Sequence, residues 1–118
     1  MADAAIFIGF GQPARGREQQ AVGVFNEAMQ HYGALAAGGE IESVEAAFLE
    51  PHGGDLGGFI LLRGEREKLD AVRRTEEFQR ITTRASIAVD GIGVVMAELG
   101  EGIASAMTRY TQAVGDLT

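Results

Sequence analysis

The chain has no cysteine and no tryptophan, and only two prolines and two histidines in 118 residues. Without cysteine there is no disulfide, no zinc–thiolate centre and no thiol nucleophile, and folding is indifferent to the redox state of the compartment. Basic residues are few, 10 against 17 acidic, and the formal charge of −7 opposes the counterion release that drives non-specific nucleic-acid binding. Nucleic acid is therefore not an expected partner. Long apolar runs are missing as well. The first, Ala4-Ala-Ile-Phe-Ile-Gly-Phe10, is too short to cross a bilayer and follows no basic n-region, so neither membrane association nor a signal peptide is expected and the location reads as cytoplasmic.

What remains is the balance of an ordinary globule, 46% hydrophobic and 23% charged, at a length suited to one domain over 1–118. The run Ala4–Phe10 is apolar on both sides, which fits a central strand buried on two faces. From residues 14 to 37, Val22, Phe25, Met29, Tyr32 and Ala36 recur at steps of three and four and predict an amphipathic helix, stopped by Gly38-Gly39. Residues 41–49 alternate, with Val44, Ala46 and Phe48 on one face and Ser43, Glu45 and Ala47 on the other, as a second strand. The stretch 51–58, with four glycines and a proline, predicts a long mobile loop before a short strand at 59–63. Residues 65–84 read as helical, with two stripes out of phase and a break near Thr75. Residues 87–98 predict a long last strand bent at Gly91 and Gly93, and Ile103, Met107, Tyr110, Val114 and Leu117 mark a terminal amphipathic helix.

The expected fold class is α+β: a ferredoxin-like βαββαβ order with a four-stranded antiparallel sheet and a C-terminal helix. Two helices cover one face of such a sheet, whereas Ala4–Phe10 and 59–62 are apolar on both faces, so the other face needs a cover. The C-terminal helix is one possible cover and a second sheet the other. In element order and in these two-sided strands the chain resembles the dimeric α/β-barrel superfamily, which includes antibiotic-biosynthesis-type and haem-degrading monooxygenases and stress-responsive barrel proteins. The resemblance implies a homodimer and admits, as alternatives, a cofactor-independent or haem-using monooxygenase, or a structural dimer without ligand.

The leading expectation is a small-molecule-binding protein that takes an apolar or weakly anionic ligand in a cavity between sheet and helices. Phe7, Glu45, His52, Phe59 and Arg63 are the candidate ligand contacts, and Glu45, His52 and Asp90 the candidate catalytic groups; no cofactor is expected. Glu45 and Asp90 each interrupt an apolar strand, and a carboxylate buried inside a barrel would have a raised pKa and act as acid or base. The bland alternative for Glu45 is an exposed edge strand whose charge deters aggregation. His52 lies in the glycine-rich loop, where Glu50 and Asp55 match no metal-binding spacing. His31 falls on the flank of its helix and reads as a surface residue. Gly9-Phe-Gly11-Gln-Pro-Ala14 has the form of a dinucleotide-binding turn, but the required acidic residue is misplaced, and a tight strand-to-helix turn is the better account. Seven of the ten basic residues fall between Arg63 and Arg84 among five acidic ones, the mixture of a salt-bridged helix face.

Overall fold

The computed structural model describes residues 2–118. In chain order the elements are β1 (Ala4–Phe10), α1 (Glu18–Ala37), β2 (Ser43–Phe48), β3 (Gly58–Gly64), α2 (Arg66–Arg74), α3 (Glu76–Ala88), β4 (Gly93–Glu98) and α4 (Glu101–Leu117). The strands form one antiparallel sheet in the order β2-β3-β1-β4. The sheet is open, and the two strands read as apolar on both faces, β1 and β3, occupy its centre. This is the expected βαββαβ arrangement followed by an extra helix.

Register decides which side chains meet. Ile6 pairs with Leu62 and Met96, and Ile8 with Ile60 and Val94, so these six share one face. Tyr32 of α1, Leu69 and Val72 of α2, and Phe78 and Ile81 of α3 pack onto that face. Ile6, Leu62 and Leu69 lose all contact with solvent, and burying each stabilises the fold by roughly 2 kcal/mol. The break anticipated at Thr75 is present. Its hydroxyl donates to the Val72 carbonyl at 2.7 Å and accepts from the Phe78 amide at 3.2 Å, closing α2 and capping α3.

Four expectations need correction. The helix α1 starts at Glu18, not near residue 14, because Gly16 takes a left-handed conformation (φ 85°) that a helix cannot continue through. Its fully buried positions are Ala21, Val24, Ala28 and Tyr32, with Phe25, Met29 and Ala36 packed beside them, whereas Val22 is 61% exposed and lies outside the stripe. The last strand is only Gly93–Glu98. Residues 87 and 88 belong to α3, where Ala85 and Ala88 pack against Ala21 and Val24, and this packing overrides the strand preference of Ile87 and Val89. The loop between β2 and β3 is tied rather than loose. Leu49 N donates to Gly57 O at 2.8 Å and Gly57 N to Phe10 O at 2.7 Å.

Thr75→Ala should lower stability by about 1 kcal/mol, while Thr75→Ser, which keeps the capping oxygen, should lose much less. Urea unfolding of the two variants measures the difference.

Candidate functional site

Small side chains on α1 and α3 leave space above the sheet. Ala21 and Ala28 on one helix and Ala85 and Ala88 on the other face the strand residues Ile8, Phe10 and Ile60 across a cavity of about 510 Å³. That volume lies in the range of small-molecule pockets. Phe25, Phe10 and Phe48 wall one end, with Phe25 and Phe48 ring centres 5.1 Å apart, and Phe48 and Val22 are largely exposed at the mouth. Apolar atoms dominate the lining; its polar members are Gln12, Asn26, Tyr32 and Thr82.

Tyr32 is the one titratable side chain of the lining. It is 2% exposed, and burial pushes its phenol up to about 12. Its hydroxyl makes no hydrogen bond to any described residue. A phenol hydroxyl both donates and accepts hydrogen bonds. Thr82, by contrast, already donates to the Phe78 carbonyl at 2.9 Å.

None of the five residues expected to contact ligand lines this cavity. Four of them lie together on the opposite, open face of the sheet. Phe7 and Phe59 stack there with ring centres 5.3 Å apart, and Arg63 pairs with Glu45 at 3.1 Å. Glu45 is an edge-strand carboxylate with a cationic partner, and its side chain is 57% exposed in the single subunit. Leu61 and Val95 flank Phe7 on this face, and the loop residue Leu56 approaches Gly9 on it. His52 closes the β2–β3 loop. Gly54 N donates to its Nδ1 at 3.3 Å, so Nε2 carries the proton and donates to Leu56 O at 2.8 Å. Asp90, expected in a strand, sits in the α3–β4 connection, where its carbonyl accepts from Gly11 N at 2.7 Å and its amide donates to Gln12 O at 2.9 Å.

Those last bonds also account for the glycine pattern of residues 9–14. A side chain on Gly11 would meet the Asp90 carbonyl oxygen at 2.8 Å, and the amides of Gly11 and Ala14 are spent on Asp90 and Ala88. The motif makes a tight turn and offers no cradle for phosphate. His31 is half-buried rather than a surface residue, and its Nε2 is shielded from solvent without a hydrogen-bond partner among the described residues. No group of three or more potential metal ligands occurs among the described residues. Within the basic run three more arginines pair with carboxylates: Arg66 with Glu98 at 2.7 Å, Arg80 with Glu27 at 2.6 Å and with Glu77 at 2.7 Å, and Arg84 with Glu27 at 3.1 Å. The hydrogen bond from Arg80 holds the Glu77 carboxyl below its ordinary range.

Solved structures share this architecture. A dimeric protein of unknown function and ferredoxin-like fold from Bacteroides fragilis aligns over 81% of this chain and 96% of its own, at 12% identity and a TM-score of 0.58. The fold is ferredoxin-like. An ethyl tert-butyl ether d (ethd) family protein from Bacillus halodurans aligns over 83% of this chain and 99% of its own, at 14% identity and a TM-score of 0.58. SnoaB, a cofactor-independent oxygenase from Streptomyces nogalater, aligns over 84% and 95% at 10% identity and a TM-score of 0.54. No family model matches the chain, and no curated protein matches it. No helix among the described residues is long and apolar enough to cross a membrane.

From the sequence, Tyr32, Phe10 and Phe48 are recognisable as residues that could line an apolar cavity or simply form core, whereas Gln12, Asn26 and Thr82 carry no signal as site residues. The usable signal was the set of alanines on the buried sides of two helices that pack over large strand residues.

The raised Tyr32 pKa has a direct consequence. Above pH 10 the unfolded chain loses the phenol proton while the folded chain holds it until about 12, so the stability that Tyr32 contributes below pH 10 is lost across that window. A phenol pKa of about 12 in place of the ordinary 10 corresponds to roughly 2–3 kcal/mol. Urea unfolding between pH 9 and 12 should show this loss in the wild type and a shallower one in Tyr32→Phe.

Proposed function

We propose that the protein binds a small, neutral, mainly apolar molecule in the cavity between its sheet and helices α1 and α3, with residues 1–118 acting as one unit in a homodimer. The observation that carries this reading is a mainly apolar cavity of about 510 Å³ whose one titratable lining side chain is the neutral Tyr32. Absence of any cationic side chain from the lining argues for a neutral ligand over an anionic one. The homodimer is supported by the apolar open face carrying Phe7, Phe59, Leu61 and Val95, and by the dimeric B. fragilis protein of the same fold. In this reading Phe7 and Phe59 belong to the subunit interface, with the Glu45–Arg63 pair at its rim. Asp90 and His52 shape loops and touch no ligand.

A second reading is a cofactor-independent oxygenase, for which SnoaB supplies a precedent of the same fold. Tyr32, Asn26 and Gln12 are the groups that would orient a phenolic substrate. No acid or base with a pKa near neutrality lines the cavity, so proton removal would fall to the substrate's own acidity. Histidine-ligated haem does not fit, because neither His31 nor His52 belongs to the lining.

Fluorescence titration with 1-naphthol tests the binding proposal. Saturable binding to the wild type, weakened at least tenfold by Ala85→Phe, which fills the cavity, is the expected result. Binding that Ala85→Phe leaves unchanged would overturn it. Dioxygen uptake by the 1-naphthol complex that is lost in Tyr32→Phe would favour the oxygenase reading.

A further inference from the structure

The helix α4 has no buried residue, and among the described residues its large apolar side chains join neither hydrophobic core cluster. Ile103, Met107, Tyr110, Val114 and Leu117 are between 45% and 88% exposed. The helix instead touches its subunit through its narrow side. Gly102 lies against the Asp3 carbonyl, Ala106 is partly buried, and Arg109 reaches Glu98 at 3.6 Å. The large apolar residues are therefore left for another body, and their pattern identifies its kind.

Steps of four, three, four and three average 3.5 residues, the period of a seam between two helices that wind around each other. A helix that lies on a sheet or a broad core has the wider 3.6 stripe, as α1 does. The positions flanking the seam are Ala104, Ala106, Thr111 and Ala113, all small and uncharged. Small flanks let two helix axes come close. They also impose no like-charge repulsion when the two helices are identical, whereas charges at these positions are what select a different partner. The self-matched surface thus fits a second copy of α4.

The direction follows from how the helix is attached. The two residues Leu99 and Gly100 join it to β4, and Gly102 N donates to Leu99 O at 2.8 Å, so the folded body sits at the N-terminal end of α4. Parallel pairing would bring two bodies to the same end. Antiparallel pairing keeps them at opposite ends and opposes the two helix dipoles. In that arrangement Ile103 stacks on the partner's Val114 and Met107 on the partner's Tyr110, about a two-fold axis that repeats each contact. Burying both stripes removes on the order of 1,000 Å² from water, the size at which interfaces become specific.

We infer that α4 is a self-association helix that pairs antiparallel with α4 of a second copy, through an interface separate from the open sheet face. The inference does not rest on the ligand cavity or on sheet-to-sheet pairing.

Because the chain has no cysteine, single-cysteine variants test it cleanly. Met107→Cys and Tyr110→Cys proteins are mixed and mildly oxidised, with Thr108→Cys and Gln112→Cys, away from the seam, as controls. The expected result is a 107–110 disulfide between chains, identified by peptide mass, forming at least tenfold faster than any control linkage. Equal rates would overturn the inference. So would preferential linkage of the Tyr110→Cys protein to a Val95→Cys protein, which would put α4 on a sheet face instead. Both seam positions are more than half exposed, so the substitutions leave the core untouched. As an independent readout, Met107→Glu should halve the native mass; an unchanged mass would contradict the inference.

Discussion

Two central strands that are apolar on both sides, in a chain whose helices cover only one side, set the terms for the whole structure. On the helix side of β1 and β3, Ile6, Ile8, Ile60 and Leu62 are nearly or fully buried under α1, α2 and α3. On the other side Phe7, Phe59 and Leu61 are left partly exposed. Hydrophobic association is non-directional, so a face of this kind binds whatever apolar surface fits it. The polar Glu45–Arg63 pair toward the β2 edge bounds the patch and gives it a polar border. Because the apolar stripe of α4 stays exposed within its own subunit, α4 does not cover the sheet face of that subunit.

The helix face answers a different demand. Filling it with large residues would give a solid core, but alanines on α1 and α3 hold the helices close to each other while leaving room above Ile8 and Ile60. The same small residues that join the helices thus create the cavity, and Tyr32 carries the main polar group into it. Burial raises the pKa of this phenol and so extends its neutral range to higher pH.

The element order, the two-sided burial of β1 and the break at Thr75 were legible because each depends on local periodicity or on a hydrophobic pattern, whereas the edge position of β2 was one of two open alternatives. The end of α3 was not legible. Ile87 and Val89 carry strand preference, and only the contact of Ala88 with Ala21 and Val24 keeps the chain helical there. The candidate site was legible only in its parts. Phe7, Phe59, Glu45 and Arg63 were expected around a cavity between sheet and helices, whereas the strand register places them together on the open face. The cavity lies on the other face because it is made by what is missing, methyl groups where larger side chains could stand. Absence of bulk leaves no motif in a sequence. His52 looked like a reactive group in a mobile loop, and its two ring contacts within that loop became apparent only in three dimensions.

The claim on which the rest turns is that the open face of β1 and β3 is buried against a second copy. Native mass spectrometry of the wild type beside Leu61→Glu, which places a charge at the centre of that face, measures it directly. The account predicts a wild-type assembly of even copy number whose mass is halved by Leu61→Glu, with the variant still folded by circular dichroism. A wild type that flies as a single 12.5 kDa chain, or an assembly whose mass Leu61→Glu leaves unchanged, would contradict it.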